Sequence, residues 1–408
     1  LAELSSKRPG QGPRWRGGGV EIAVVRESDP AERRVALVAD GVHRLVQLGH
    51  GVRVEAGAAL GAWTTDRELS EAGAVVSAEL GQVLDGADVL VTVGPPSRDE
   101  VIGGLRPGSA VVGMLSPLQQ RVLLERLATQ RVDAFSLELV PRITRAQAMD
   151  VLSSQAMVAG YAAALRAASL LPRLFPMMVT AAGTLAPAKV LVLGAGVAGL
   201  QSIATARRLG AVVSAYDVRP AAADEVRSLG ARFLELPLEA QEGAGGYARA
   251  QSEDFLVRQR ALIGEHVALS DVVITTAAVP GRRAPVLVSA EMVGSMRPGS
   301  VVVDLAAESG GNCELSRPGE TVEVAPGVRV VGVRNLPGDM ALHASQLYGR
   351  NLVAMLGLLA PEGRFAPAVE DEIVDATWVV RDGAVRIAAE GGRSEARSSA
   401  GEPGAGGD

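Results

Sequence analysis

Aromatic residues make up only 3% of this 408-residue chain, and cysteine occurs once, at Cys313. A single cysteine excludes an internal disulfide framework and suits a reducing compartment. Hydrophobic residues are 48% of the chain, so with few rings the cores must be packed from aliphatic side chains. Histidine is scarce too: His43, His50, His266 and His343 are scattered, and no metal-ligand spacing links them, so no metal is expected. A net charge of -6 offers no basic surface for nucleic acid. No charged-then-apolar signal pattern opens the chain. The longest apolar tract, Leu174 to Ala206, holds one charge, Lys189. Pro176, Pro187 and several glycines interrupt it, so it reads as soluble core and not as a membrane span. These features predict a cytoplasmic protein.

Glycine, by contrast, is abundant, and three glycines stand in a telling context. Val190–Leu193 reads as a short buried strand, and Gly194, Gly196 and Gly199 then form G-x-G-x-x-G. Val197, Leu200, Ile203, Ala204 and Leu209 follow at helical spacing. Strand, tight turn and helix are the context of a dinucleotide fingerprint. The first glycine permits the turn, the second lets backbone approach a pyrophosphate, and the third lets helix and strand pack closely. The helix N-terminus adds unpaired N–H groups and partial positive charge. Gly194, Ala195, Gly196, Val197, Ala198 and Gly199 are therefore candidate cofactor-binding residues. An ordinary turn in another Rossmann-like protein is the plainer alternative.

The next strand, Ala211–Tyr216, ends in Asp217, Val218 and Arg219. A carboxylate there accepts ribose hydroxyls and repels a 2′-phosphate, which favours NAD(H) over NADP(H). Arg219 is a complication, because arginine is the residue type that pairs with such a phosphate.

The remaining pattern alternates strands and helices. Before the fingerprint come strands at Val20–Val25, Val52–Glu55, Ala87–Val93, Ser109–Leu115 and Asp133–Leu139, with helices at Val35–Leu48 and Pro117–Thr129. After it come strands at Ala231–Leu236, Asp271–Thr276, Ser300–Asp304 and Val328–Val333, and a helix at Ser252–His266. Thr276, Ala277 and Asn335 fall at strand ends, at the carboxyl edge where an open sheet binds ligand. The expected fold is α/β, with two doubly wound Rossmann-like parallel-sheet domains separated by a cleft. The expected boundaries are a disordered start at 1–18, a first domain at 19–141, and a nucleotide-binding domain at 142–342. A helix and hairpin return to the first domain over 343–389, and a disordered tail fills 390–408. The returning helix is expected at Leu347–Leu359.

Two further stretches carry candidate chemistry. Arg142, Gln147, Asp150 and Ser153 place a cation, an amide, a carboxylate and a hydroxyl within twelve positions. Asp150 and Ser153 share a helix face, and a capped helix start accounts for them equally simply. Glu239–Ala248 is glycine-rich around Tyr247 and reads as a functional flap or as a plain surface loop.

Five segments together resemble the NAD(H)-binding component of proton-translocating NAD(P) transhydrogenase. They are Pro141–Gln155, Met177–Gly183, Gly194–Gln201, Ala278–Leu287 and Asp304–Cys313, and the match spans roughly residues 20 to 360. The resemblance implies a homodimeric alpha subunit of a Re/Si-specific translocase. Hydride would pass directly to NADP(H) held on a partner, carried by membrane-embedded subunits at the inner face of the cell membrane. It places Arg142, Gln147, Asp150 and Ser153 on a loop beside the nicotinamide, and Tyr247 on a mobile loop that closes over nucleotide.

The related alanine dehydrogenases are the main competitor. That family carries a lysine and a histidine in its first domain, where this chain has Val93-Gly-Pro-Pro96 and Met114-Leu-Ser-Pro-Leu118. The only lysines are Lys7 and Lys189. Amino-acid oxidation lacking an acid/base group would lose on the order of 10²–10⁴ in rate. An inactive NAD-binding subunit is a third reading. The sequence departs from the transhydrogenase pattern at Gly338-Asp339, where Ser-Arg is usual. The tail lacks a membrane helix, as in members whose soluble component is a separate polypeptide.

Overall fold

The computed structural model describes residues 18–236, 253–278, 283–324 and 327–387. The segment around Tyr247, the tail, and the start of the chain up to residue 17 lie outside them.

Six strands come first: β1 (Glu21–Val24), β2 (Gly51–Glu55), β3 (Val75–Ser77), β4 (Val89–Val91), β5 (Ala110–Gly113) and β6 (Asp133–Ser136). They pair in parallel in the order β6-β5-β4-β1-β2-β3. Both faces are covered, which is why β4 and β5 are buried throughout. Val24, Val54, Val91 and Val112 point into one aliphatic cluster, and Ala23, Leu90 and Val111 into another.

Two local expectations change here, and one strand is added. The first helix begins at Ala39, not Val35. Val35 donates its N–H to Ser345 Oγ at 3.0 Å, and this long-range bond holds Val35–Val38 out of the helix. The strand at 133 stops at Ser136, and Leu137–Leu139 turns as a 3₁₀ helix. Glu138 reaches back there to accept from Leu115 N and Ser116 N. Strand β3, which the sequence pattern does not announce, is a short half-exposed edge.

A 20-residue helix, Val151–Leu170, leads to the second half of the chain. A hairpin follows, β7 (Met178–Thr180) and β8 (Gly183–Leu185). It corrects the reading of Leu174–Ala206 as core over the hairpin alone, where Val179 is 71% exposed and Met177, Met178 and Leu185 are exposed as well, while Ala188–Leu193, apart from Lys189, is buried as expected. The hairpin turns at Ala181-Ala182, followed by Gly183 with φ +130°, and projects its apolar side chains outward.

The second sheet contains β9 (Lys189–Leu193), β10 (Val212–Tyr216), β11 (Arg232–Phe233), β12 (Val272–Thr275), β13 (Val301–Asp304), β14 (Thr321–Val324) and β15 (Val328–Gly332). Its order is β11-β10-β9-β12-β13-β15-β14, parallel except for β14. The chain fills one side through β10 and β11, then the other through β12 and β13. The topological switch point therefore lies between β9 and β12, where such sheets bind ligands beyond the strand ends.

Helix Ala341–Leu359 then crosses back, starting earlier than the expected Leu347. It buries Tyr348, Leu352, Met355 and Leu359 in the first core, and Tyr348 Oη donates to the Thr92 carbonyl at 2.7 Å. Strands β16 (Trp378–Arg381) and β17 (Ala384–Val385) complete the first sheet by antiparallel pairing beside β6. Trp378 stacks on Phe135 with ring centroids 5.0 Å apart.

Candidate functional site

The fingerprint turn sits at the switch point, and its glycines differ in surroundings. Gly194 has φ +99°, and a Cβ there would stand 2.7 Å from Thr276 Oγ1. A Cβ on Gly199 would stand 1.9 Å from the Gly194 carbonyl oxygen, so helix and turn are in backbone contact. At Gly196 a Cβ would meet nothing within 4 Å. That residue caps helix Val197–Arg208. Open space thus lies at a helix N-terminus, over a backbone free of side chain, as a pyrophosphate requires. Val197 is exposed and Ala198 half-buried at the same opening.

Asp217, at the end of β10, closes onto this turn. Its Oδ2 accepts from Ala195 N at 2.7 Å, and its Oδ1 accepts from Arg219 N at 2.8 Å. Arg219 adds Nε to Oδ1 at 3.0 Å and Nη2 to Oδ2 at 3.2 Å. Burial would raise the Asp217 carboxyl, but the Arg219 guanidinium and two backbone N–H donors outweigh it and hold the group below its ordinary range. Val218 faces solvent beside it.

On the other side of the switch point, Thr276 Oγ1 donates to the Gly194 carbonyl at 3.0 Å. Ala277 is clamped by Asn312, which accepts from Ala277 N at 2.9 Å and donates to its carbonyl at 2.8 Å. Asp304 is fully buried and accepts from Thr275 Oγ1, Ala306 N and Cys313 N. Asn312 and Asp304 brace this side of the candidate site, and the sequence pattern does not single them out. Their signal in the sequence is the resembling segment Asp304–Cys313, which names no single residue. Cys313 is buried, which pushes its thiol up to about 11.

The second constellation is partly a helix cap. Asp150 accepts from Ser153 N at 2.9 Å and from Ser153 Oγ at 2.6 Å, which satisfies an orphan donor of helix Val151–Leu170. Before it, Thr144–Met149 forms a 3₁₀ turn carrying an exposed Gln147. Arg145, not Arg142, ties this turn down, through Asp371 at 2.6 and 3.0 Å. Arg142 is exposed and makes no ion pair with a described residue.

No hydrogen bond joins these residues directly to the glycine turn. The connection is the helix Val151–Leu170, whose Gly160 packs against Ala198 and whose Gly160 carbonyl accepts from Ser202 Oγ at 2.9 Å. Ser153 lies about 10 Å from Gly160 along that helix.

Asn335 bridges the two halves. It adopts φ +49°, its Oδ1 accepts from Gly338 N, and its Nδ2 donates to Glu32 Oε2 at 2.9 Å. Glu32 also pairs with Arg34 at 2.6 Å, and Arg34 Nη1 donates to Gln155 Oε1 at 2.9 Å. Burial raises the Glu32 carboxyl, yet Arg34 and Asn335 together bring it below its ordinary value. The Gly338-Asp339 departure fits here: a Cβ at 338 would stand 2.9 Å from Asn335 Nδ2, and Asp339 meets Arg166 at 3.5 Å. In the first half, Glu27 accepts from Val93 N at 2.7 Å and Gly94 N at 3.0 Å, and burial raises its carboxyl to about 7.

The N-terminal and C-terminal domain models of alanine dehydrogenase/PNT match residues 23–159 and 163–388. A polypeptide of NAD(P) transhydrogenase subunit alpha from Rhodospirillum rubrum is 45% identical over 378 residues, covering 90% of this chain and 97% of that one. The crystal structure of transhydrogenase from Sinorhizobium meliloti superimposes with a TM-score of 0.79 at 46% identity, covering 90% of this chain and 98% of that one. An L-alanine dehydrogenase structure is more distant in sequence, at 28% identity with a TM-score of 0.75, covering 90% and 97%. With both domains matched and the higher identity on the transhydrogenase side, this chain belongs to the family of NAD(P) transhydrogenase alpha subunits, within the wider alanine dehydrogenase/PNT family.

Proposed function

We propose that this chain is the NAD(H)-binding component of a proton-translocating, Re/Si-specific transhydrogenase, passing hydride directly between NADH in its second domain and NADP+ on a partner subunit. The observation that carries the reading is the unobstructed backbone at Gly196, beside a helix N-terminus and the Asp217 carboxylate. These residues fit a dinucleotide: the turn takes the pyrophosphate and Asp217 the ribose hydroxyls. Thr276, Ala277 and Asn335 line the nicotinamide side in this reading.

The bound nucleotide supplies the hydride, so the protein needs no general base. Its work is proximity and orientation. Gln147, exposed on a turn that Arg145 and Asp371 pin, holds the carboxamide and sets the ring angle. Asp150 and Ser153 keep that turn in place through the helix cap. Arg142 supplies a cation for the nucleotide, and Tyr247 covers the hydride path against water.

The exposed apolar hairpin Met178–Leu185 supports a homodimer, since such a surface is ordinarily covered. Among the described residues no helix is long and apolar enough to cross a membrane. We place the chain in the cytoplasm, peripherally attached to the inner face of the membrane through partner subunits that carry NADP(H).

The test is hydride exchange in a reconstituted mixture of this chain, an NADP-loaded transhydrogenase partner domain, NADH and an oxidised NAD analogue of distinct spectrum. Rapid analogue reduction requiring both proteins supports the proposal. NADH bound without transfer favours an inactive NAD-binding subunit. NADH formed from NAD+ and alanine without the partner favours the dehydrogenase.

A further inference from the structure

We propose that the junction between the two halves of the chain holds a second ligand site, for a small tetrahedral oxyanion of the size of inorganic phosphate, gripped by Arg33, Arg166 and Arg334. The nucleotide reading above uses none of these three side chains.

A cavity of about 260 Å³ opens at this junction, and all three arginines line it. They come from separate parts of the fold. Arg33 belongs to the loop after β1, Arg166 to the helix Val151–Leu170, and Arg334 to the residues just past β15. All three are exposed, whereas Val331, Val333 and Leu336, which line the same cavity, are buried. The inner wall is therefore apolar, and the cations stand around the opening. Strand β15 is three strands from β9 in the second sheet, roughly 14 Å away, so this cavity is separate from the fingerprint turn.

The guanidiniums are only partly committed. The Arg33 side chain makes no hydrogen bond or ion pair with a described residue. Arg166 meets Asp339 only at 3.5 Å, with both side chains about half exposed. A pair of that kind stabilises little and is readily exchanged for a ligand. Arg334 is held by Asp29 at 2.9 Å, with Glu308 at 3.8 Å. An arginine carries five N–H donors, so these contacts fix the guanidinium and still leave donors for a ligand. Two carboxylates also line the cavity, Asp339 and Glu320, and Glu320 stands 3.7 Å from Arg317. Three cations thus face two anions, and the surplus charge is the unpaired Arg33.

Shape and size select the ligand. A carboxylate is planar and is matched by a single guanidinium fork. Phosphate turns an oxygen in each of four directions, so guanidiniums on three sides of one cavity can donate to it together. Pockets for drug-sized ligands begin near about 300 Å³, so this cavity suits a small ion and not a dinucleotide.

Occupancy has a structural consequence. Arg33 lies in the first half of the chain, and Arg166 and Arg334 lie in the second. The loop that carries Arg33 also carries Glu32, which accepts from Asn335 Nδ2 at 2.9 Å. A bound dianion adds a second tie between the halves beside that one. By mass action it stabilises the arrangement in which the three arginines converge.

The experiment titrates inorganic phosphate into the full chain by calorimetry, at constant ionic strength set with chloride. It compares the native protein, Arg33→Gln and Arg33→Gln/Arg166→Gln, with acetate as the planar anion. Thermal unfolding of the same samples with and without phosphate gives a second readout. The native chain is expected to show one saturable phosphate site and a raised unfolding midpoint. Arg33→Gln is expected to weaken phosphate at least about tenfold, the scale of one lost charge-assisted contact, and the double variant to show no saturable binding. Both variants should keep the native midpoint in chloride alone, because the altered side chains are exposed. No saturable binding to the native chain at millimolar phosphate overturns the site. Binding that survives in the double variant lies elsewhere on the chain and overturns it equally. Acetate bound as tightly as phosphate overturns the tetrahedral class of ligand. Should the double variant unfold in chloride, Arg33→Gln alone carries the test.

Discussion

Gly160, in the middle of helix Val151–Leu170, lies so close to Ala198 that a Cβ at 160 would stand 2.1 Å from the Ala198 carbonyl oxygen. The neighbouring atoms are backbone, so they cannot move aside cheaply. Ala198 is in the first turn of the fingerprint helix, and Ser202 one turn on donates to the Gly160 carbonyl. Gly160→Ala must therefore push the two helices apart. The expected cost is about 1–3 kcal/mol, the usual scale for overpacking, despite alanine's better helix propensity. Urea unfolding should show a lower midpoint with the slope unchanged. A midpoint equal to the native value would show that the helices separate freely.

Gly196→Ala should behave in the opposite way. No heavy atom lies within 4 Å of the added Cβ, and φ is -76°, which any residue adopts. Stability should change by less than about 0.5 kcal/mol, as for a substitution that touches nothing. The methyl group instead occupies the space over the helix N-terminus, and NADH affinity should fall at least about tenfold, since backbone approach to the pyrophosphate is what this glycine permits. Thermal unfolding and NADH titration of the same sample separate the two effects. Lost stability with retained affinity would move the nucleotide away from this turn.

Gln147→Asn shortens an exposed side chain on the pinned 3₁₀ turn. Folding should be unaffected, because none of the turn's anchoring bonds from Arg145 or Asp150 uses the Gln147 side chain. Hydride transfer should fall by about 10²-fold, the scale of a misplacement near 1 Å, while NADH binding changes little. Stopped-flow transfer alongside equilibrium binding measures both. Unchanged transfer would end the orienting role assigned to Gln147.

Much of this site is legible from local signals. Gly194, Gly196 and Gly199 can be read because their roles are local to one strand-turn-helix unit, and Asp217 because its distance from the turn is set by one further helix and strand. The Asp150–Ser153 cap is likewise readable from i, i+3 spacing. What escapes depends on long-range partners. Val35–Val38 has a helical pattern, yet Ser345, 310 residues on, decides its conformation. Arg145 and Arg142 look alike in sequence, and only the returning segment with Asp371 distinguishes them. Asn312 reaches Ala277 across 35 residues. The Met178–Leu185 hairpin is hidden because hydropathy reports composition and not which side of a surface a strand occupies.

Glu27 provides a test of the first domain that uses pH alone. It is half-buried in the loop three residues past β1, accepts from Val93 and Gly94, and lies near Glu32, Arg34 and Tyr348. Burial disfavours its charged form more strongly than the two N–H donors favour it, and its carboxyl rises from 4.5 to about 7. A raised carboxyl means that the folded state keeps a proton that the unfolded chain releases. Below about pH 4.5 both states are protonated and the group costs nothing. As pH climbs from there to about 7, the unfolded chain is progressively favoured, and above 7 the cost levels off at up to about 3 kcal/mol. Glu27→Gln cannot ionise. Its stability relative to the native chain should therefore increase between pH 5 and 7.5 and then stay constant, while any fixed packing difference shifts the whole curve without bending it. Urea unfolding of both proteins at pH 5, 6, 7 and 8 measures this difference directly. A difference that does not vary over that interval would return the Glu27 carboxyl to its ordinary range, and the donors at Val93 and Gly94 would then be strong enough to offset its burial.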